Sequence, residues 1–409
     1  MTVEQTGVGQ GKGKGPTLAS GTSQNGVRLY NERLVLSLIR RHGSLPKAEI
    51  AKLTGLSAQT VSVIVRQLEA DLLLVKETPK RGKVGQPLVP FSLNPDGAYS
   101  IGLKVGRHSG DLILLDLTGK IIRKIHRRYH FPSPAKFMAF VTAGLEKLLA
   151  DLSPGQQQRI VGLGIASPFE LWNWEEEIGG SHEVFEAWRD FDLVGEIEKL
   201  GNWLVHYSND ATAACAAELL FGRGSAYHSY AYIFLGYFVG GGIVINGHIF
   251  PGHTGNAGAI ATLPFPGASG KPQQLLHHAS LSVLEHQIKA AGLDPTEVMP
   301  TPETWGDIGP VLDRWLEKSG ESLAFACAAT MSIIDFEAII IDGAMPENVR
   351  ATLVEKTREA LKHYDLRGIP AFTIEAGSLG SDARAMGGAS LSLFANYMTD
   401  RDVLFKEAL

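Results

Sequence analysis

The chain is poor in cysteine: of its 409 residues only Cys215 and Cys327 are cysteines, far apart and outside any CxxC pattern. That scarcity excludes a disulfide framework and a cysteine-rich zinc site, and both thiols are expected as small core residues. Long apolar runs are missing too. Nothing approaches the ~20 apolar residues that span a bilayer, and the opening "MTVEQTGVGQGKGKGPTLASGTSQ" lacks an apolar signal core, so the expectation is a cytoplasmic protein with no membrane partner. What is present is 44% hydrophobic and 20% charged sequence, enough to bury substantial cores in two or three domains.

The net charge of −5 is unevenly spread: residues 1–97 carry 13 Lys and Arg against 7 Asp and Glu, and the rest carry 25 against 36. A basic head on an acidic body points to an anionic partner for the head. The first 25 residues, rich in Gly, Ser, Thr and Lys, are expected as a mobile arm, with order starting near Asn31. "NERLVLSLIRRHG" puts Leu34, Leu38 and Ile39 on one helical stripe ending at Gly43; "LPKAEIAKLTGLS" predicts a short helix with Pro46 in its first turn and a bend at Gly55. "SAQTVSVIVRQLEAD" predicts a third helix, with Ser57 as N-cap, Val61, Val65 and Leu68 inward, and Gln59, Ser62, Val63 and Arg66 outward. Three short helices with a glycine turn before the last make a helix-turn-helix. "LLLVKETPKRGKVGQPLVPFSL" then predicts two strands joined by a basic wing holding Lys80, Arg81 and Lys83. A three-helix unit can be a mere packing module, but helix order, cap, turn and wing agree on residues 26–95 as a DNA-binding domain. Its third helix is expected in the major groove, with Gln59, Thr60 and Arg66 nearest the bases and the wing cations on the backbone or in the minor groove.

From Tyr99 the pattern changes. "YSIGLKVGRHSGDLILLDLTGKIIRKIHRRYHF" predicts three successive strands, "SPAKFMAFVTAGLEKLLADL" a helix and "RIVGLGIA" a buried strand. A second round follows in "YAYIFLGYFVGGGIVINGHIF", a strand, a glycine turn and a hairpin, then "FEAIIIDGAM" as a strand and "PENVRATLVEKTREALKHY" as a helix. Two such rounds imply two α/β lobes with a cleft between them.

The segments "GLSAQTVSVIVRQLEAD", "SLNPDGAYSIGLKVG", "NDATAACAAELLFG", "LGYFVGGGIVINGHIFPGHTGNAGAI" and "SLGSDARAMGGASLSLF", in this order, resemble the ROK proteins (repressors, open reading frames and kinases), in the regulator branch. The resemblance implies a winged helix-turn-helix before two actin-like or sugar-kinase-like (ribonuclease H-like) lobes. Lobe 1 would be 96–208, completed by a helix at 382–398, and lobe 2 would be 209–381. It also implies a homodimer or homotetramer reading a palindromic double-stranded DNA operator, a small sugar or sugar derivative as effector, and repression as the commoner habit. The family's wing often has Gly-Arg-Pro where this chain has Gly85-Gln86-Pro87, which places Gln86 at the groove-inserting position.

Kinases of the family open lobe 1 with a DxGGTK-like turn; the matching positions here are Lys104, Gly106, Arg107, His108 and Ser109, a base in place of the acid. Their second phosphate loop, similar to LGTGIGGG, is "LGYFVGGG" here, with Tyr237 for the hydroxyl and Phe238 for a glycine, so the stretch is expected as a hairpin inherited from a phosphate loop. The acid and His of an acid-x-Gly-His motif fall on Ala259 and Thr262, and the zinc-binding cysteines are absent from "FPGASGKPQQLLHHAS", where His277 and His278 read as surface or capping residues. No metal, no cofactor and no catalytic residue is therefore expected, and the chain is not expected to be an enzyme. Asp210 matches the family's general base but, without phosphate and metal sites, is expected to accept hydrogen bonds from a ligand hydroxyl. Asn209, His253 and Asn256 are expected beside it, although Asn209 and Asp210 can equally cap the helix that follows, and Trp172 or Trp174 could stack on a sugar face. Three functions fit: a regulator sensing a sugar-like effector, a sugar kinase fused to a DNA-binding head, or a DNA-binding protein whose cleft senses nothing. The lost phosphate loops speak against the second, and only ligand binding separates the first from the third.

Overall fold

The computed structural model of the chain describes residues 24–79, 88–129, 131–168, 172, 181–266 and 271–399, and separates into two compact units, residues 1–92 with 397–409, and residues 93–396. In the first unit, helix α1 (Gln24–His42) leads to strand β1 (Ser44–Pro46), helix α2 (Lys47–Thr54), helix α3 (Ala58–Ala70) and strands β2 (Leu74–Lys76) and β3 (Pro90–Leu93), with strand order β1-β3-β2. Helix α1 begins earlier than expected, so Asn25 is helical; an Arg28–Glu32 ion pair of 2.9 Å at i,i+4 supports that extra turn. Its buried stripe is Val35, Leu36 and Ile39, while Leu34 and Leu38 are only half-buried. Pro46 pairs with Pro90 in the sheet, and its extended backbone (φ −76°, ψ 153°) makes it the N-cap of α2, not a first-turn residue. Gly55 ends α2 in the left-handed region at φ 71°, which favours glycine. Val61, Ile64, Val65 and Leu68 bury the inner face of α3. Met398 belongs to this unit, and its carbonyl accepts a 3.4 Å hydrogen bond from Arg33.

The second unit holds two five-stranded sheets of identical plan. In lobe 1, β4 (Tyr99–Val105), β5 (Ser109–Asp116) and β6 (Ile121–Arg128) form an antiparallel meander; helix α4 (Pro134–Leu149) crosses to β7 (Ile160–Ser167), and helix α5 (His182–Arg189) precedes β8 (Val205–Asn209), giving the order β6-β5-β4-β7-β8. Lobe 2 follows helix α6 (Asp210–Phe221): β9 (Tyr230–Leu235), β10 (Val239–Ile245) and β11 (His248–Ile249) form the meander. A small hairpin of β12 (Pro264–Pro266) and β13 (Pro272–Gln274) and helices α7 (Leu281–Ala290) and α8 (Pro310–Met331) come next, then β14 (Ala338–Gly343), helix α9 (Glu347–Leu361) and β15 (Thr373–Ala376), for the order β11-β10-β9-β14-β15. In each sheet the first strand pairs antiparallel with the second and parallel with the fourth. β4, β9 and β14 are buried along their whole length, so their side chains do not alternate between core and solvent, and the polar exceptions Ser100, Lys104 and Asp342 are buried with the rest.

The last helix, α10 (Ala383–Tyr397), packs back on the lobe 1 sheet through missing side chains. A Cβ on Gly164 would sit 1.8 Å from the Gly388 carbonyl oxygen, and one on Gly102 would sit 2.1 Å from that of Ala385. The glycine triplet of β10 does the same for α6: a Cβ on Gly240 or Gly242 would meet the Cβ of Ala211 or Cys215 at 2.6 or 2.5 Å. The triplet thus serves close helix–sheet packing, and the chain turns back at Asn246-Gly247, both at positive φ. Among the described residues no helix is long and apolar enough to cross a membrane.

Candidate functional site

Two equivalent turns, one from each sheet, meet in the cleft. The β4–β5 turn presents Arg107 and His108; the β9–β10 turn presents Tyr237 and Phe238. The Arg107 guanidinium lies 4.5 Å from the centre of the Phe238 ring, and His108 meets Tyr237 edge-on with ring centres 4.5 Å apart. Side chains of the two turns therefore fill the place where a phosphate-binding pair of loops would need bare backbone.

Behind the first turn is a buried charge cluster. Lys104 Nζ donates to Asp111 Oδ2 at 2.6 Å and to Ser109 Oγ at 2.9 Å, while His126 Nδ1 lies 2.5 Å from Asp111 Oδ1. Burial works to raise the Asp111 carboxyl, but the Lys104 ammonium and the hydrogen bonds from His126 and Lys104 overcome it and hold it well below the usual carboxylate range. Lys104 is pulled the other way: burial lowers its pKa despite Asp111, and the nearby Arg384 adds to the lowering. An ion pair thus occupies the position of the kinases' metal-placing acid. Among the described residues no group of three or more His, Cys, Asp or Glu side chains could hold a metal.

Beside this cluster is a cavity of about 130 Å³ whose polar walls are Arg107, Asn209, Asp210, Asn256, Thr262 and Arg384. Asn209 is the N-cap of α6, its Oδ1 accepting from the N–H groups of Ala211 and Thr212 at 3.0 and 3.3 Å, so its amide nitrogen is the group it can offer a ligand. Asp210, in the first turn, is held by Arg384 at 3.3 Å, both side chains 13% exposed. Arg384 also lies 4.9 Å from the Phe234 ring centre, and its Nε is buried with no hydrogen-bond partner among the described residues. The remaining wall is apolar, with Phe238, Val239, Ala259, Ala261 and Leu276.

Of the four residues expected here, Asn209, Asp210 and Asn256 line the cavity. His253 is not among the lining residues: it lies exposed in the stretch between Gly252 and Gly255. Trp172 is also not a wall residue; it packs on the lobe 1 core, while Trp174 lies outside the described residues. Ala259 and Thr262, the positions of the kinases' acid and His, do line the cavity, which is therefore stripped of those groups. Two residues carry more of the site than the sequence suggested. Arg107 was legible only as a lost kinase position, and Arg384 only as part of "SLGSDARAMGGASLSLF"; a lone arginine on a helix with no other charged residue was the available signal. His277 borders a separate, larger hollow of about 440 Å³ that shares Phe238 and Leu276 with the first, and half-buried His278 rests on Phe265 with ring centres 4.6 Å apart.

In the first unit, the outer face of α3 carries exposed Gln59, Val63 and Arg66 with half-buried Ser62. Ser57 and Thr60 are engaged with each other: the Ser57 hydroxyl accepts from the Thr60 N–H at 3.0 Å, and their hydroxyls are 2.8 Å apart. The expected wing residues Lys80, Arg81, Lys83 and Gln86 lie outside the described residues.

The ROK family profile matches residues 100–394, and a winged helix-turn-helix DNA-binding profile matches residues 28–71. The chain belongs to the ROK family. It is 24% identical to the xylose repressor of Bacillus subtilis over 378 residues, 90% of this chain and 96% of that one. It is 25% identical to the DNA-binding transcriptional dual regulator NagC of Escherichia coli over 239 residues, 57% of each chain. Among solved structures, a ROK family transcriptional regulator homologous to the E. coli MLC protein superposes with a TM-score of 0.65 at 21% identity, covering 93% of this chain and 98% of that one. A ROK glucokinase from Streptomyces griseus, in complex with glucose and AMPPNP, gives 0.55 at 20% identity, covering 72% and 99%. The two-lobed fold is thus shared by regulators and kinases of the family.

Proposed function

We propose that this ROK protein is a DNA-binding transcriptional regulator, a repressor of carbohydrate uptake or catabolism genes that senses a sugar-like effector in the cleft without phosphorylating it. The observation that carries the reading is the meeting of the two turns: Arg107 on Phe238 and His108 on Tyr237 close the space a nucleotide phosphate would take, and Lys104 stands where a metal-placing carboxylate is required. Phosphoryl transfer depends on positioning and charge stabilisation by metal and backbone donors, and Asp210 tied to Arg384 supplies neither. Support for regulation comes from the winged helix-turn-helix and from relatives named xylose repressor and N-acetylglucosamine repressor.

In this reading α3 enters the major groove with Gln59, Thr60 and Arg66 nearest the bases and Ser62 beside them, and the wing cations track the backbone or the minor groove. A homodimer reads a palindrome, and the division into lobe 1 (96–208 with 382–398) and lobe 2 (209–381) describes the sensor. The chain that carries Arg384 in the cavity continues through α10 to Met398 of the first unit, which gives effector binding a covalent route to the DNA-binding unit. An effector changes DNA affinity only if it prefers one conformation over the other. The test is binding to the DNA beside the protein's own gene over a salt series. A steep loss of affinity with salt is expected, and Arg66→Ala should weaken binding and reduce the salt slope by about one. Binding indifferent to both, or sustained sugar-dependent ADP release abolished by Asp210→Asn, would overturn the reading.

A further inference from the structure

Away from the cavity, a second set of contacts joins the two lobes. The loop from Val298 to Gly306 belongs to lobe 2: Val298, Met299 and Trp305 pack on that lobe's core. It closes on itself, with the Gly306 N–H donating to the Val298 carbonyl at 2.7 Å and the Thr304 N–H to Thr301 Oγ1 at 3.1 Å. Its tip reaches the outer strand of lobe 1 and the chain just before α10. The Pro300 carbonyl accepts from Arg128 of β6 at 2.7 Å, and the Glu303 carboxylate accepts from the Ser381 hydroxyl. Asp382, the next residue, is tied back to β6 by Lys124 at 2.5 Å, and the Lys124 ammonium is attracted by Glu303 as well. Lys124 and Arg128, four residues apart on a strand, share one face of it. Arg123 is on the other face and stays within lobe 1, donating to the Lys147 carbonyl and pairing with Asp151.

These contacts adjoin the cavity on two sides. Arg128 pairs across the sheet with Ser109, next to the Arg107–His108 turn, and Asp382 lies two residues before Arg384. The cavity takes Arg107 from lobe 1 and Phe238 and Leu276 from lobe 2, so its size depends on how closely the lobes approach. At about 130 Å³ it is smaller than the roughly 150 Å³ cavity that holds a bare six-membered aromatic ring. A monosaccharide adds hydroxyls to such a ring, so admitting one requires the lobes to part.

We propose that the 298–306 loop is a strap that holds the cleft shut, fastened to lobe 1 by Arg128, Lys124 and Ser381, and that effector binding acts by releasing it. The proposal rests on the regulatory reading above and adds the device by which that site moves. Partly exposed polar contacts are individually weak, which suits a fastening that a ligand must undo by preferring the open form. The strapped form is the one that binds DNA, since an effector that relieves repression must favour the other.

The test needs no effector. Spin labels on Ile122→Cys in lobe 1 and Leu293→Cys in lobe 2, both exposed, report the lobe separation of the full-length protein, and native Cys215 and Cys327 are buried from the label. Lys124→Met with Arg128→Met should populate a second, longer distance about five-fold or more above wild type. Glu303→Ala, made in the other lobe, should do the same, which a local defect in β6 would not. Arg123→Met removes a neighbouring β6 cation and should leave the distances unchanged. Affinity of the unlabelled strap variants for the DNA beside the protein's own gene should fall about three-fold or more. Distances in the strap variants no different from those of Arg123→Met, or an opening produced only by the β6 substitutions, overturn the strap. An opened cleft with DNA affinity intact overturns its role in signalling. If wild type fails to bind this DNA, the regulatory reading falls, and the distances still decide the strap.

Discussion

The two lobes have the same strand order, yet they treat a buried acid in opposite ways. In lobe 1, Asp111 on β5 is gripped by Lys104 at 2.6 Å and by His126, and its carboxyl is held below the usual range. In lobe 2, fully buried Asp342 at the end of β14 faces Arg350 at 3.2 Å, accepts from the Tyr232 hydroxyl at 3.1 Å and from the N–H groups of Gly343 and Gly380 at 2.8 and 3.2 Å, and is nonetheless raised, because burial outweighs all of these. The lesson is that a duplicated fold does not duplicate its electrostatics: a close ammonium fixes charge in lobe 1, while a longer guanidinium contact and neutral donors leave the lobe 2 acid poised toward protonation. The cavity takes Arg107 from lobe 1, Arg384 from the helix that completes it, and most of its remaining wall from lobe 2.

Removing Lys104 should have the largest effect. Lys104→Met strands the buried Asp111 carboxylate, and breaking a buried pair from one side costs about 3–5 kcal/mol. Adding Asp111→Asn should recover much of the loss, and denaturant melts of the single and double variants measure both. The pH dependence follows with its sign. A carboxyl depressed in the fold contributes stability above its unfolded pKa of about 4 that is lost as pH falls, so the wild type should weaken on acidification more than the double variant does. A Lys104→Met protein as stable as wild type would show that the lobe 1 pair does not carry fixed charge and would dissolve the contrast between lobes.

Arg350→Met in lobe 2 should cost less, about 2 kcal/mol, because Asp342 can take up a proton and keep its other donors. Here the sign reverses: a raised carboxyl penalises the fold at neutral pH, and the penalty is relieved as pH falls, so the variant should regain stability on acidification. A loss as large as that of Lys104→Met, undiminished at low pH, would show that the two lobes hold their acids alike.

The sequence made the fold legible far better than the site. Strand and helix periods, the Ser57 cap and the Gly55 bend report local structure, and both sheets follow from them. Tertiary offsets escaped: α1 buries Val35 and Leu36 instead of Leu34 and Leu38, because which face turns inward is decided by packing on other helices and not by the stripe alone. Asp210 and Arg384 are 174 residues apart, so no spacing rule could join them, and whether His253 reaches the cavity wall depends on the path of its loop, which spacing does not report. What the resemblance did expose was the loss of kinase groups; that the vacated walls carry two arginines needed three dimensions.

The smallest effect is expected where the lobes touch. Tyr237→Thr with Phe238→Gly brings the β9–β10 turn closer to the kinase loop and removes the rings that meet His108 and Arg107. Half-buried aromatic and cation–π contacts of this kind are worth about 1–2 kcal/mol together, so the double variant should fold, with a modest drop in melting temperature. Phe238 also walls both hollows, and its loss should join them and admit larger ligands, measurable as weaker discrimination among sugars of different size. Phosphoryl transfer should still be absent, because reopening one turn leaves Lys104, Ala259 and Thr262 in place and restores neither a metal site nor the acid and His lost at positions 259 and 262. ADP release from this variant, dependent on added sugar and on Asp210, would mean that the two rings alone had silenced a kinase, and that the charge difference between the lobes is incidental to function.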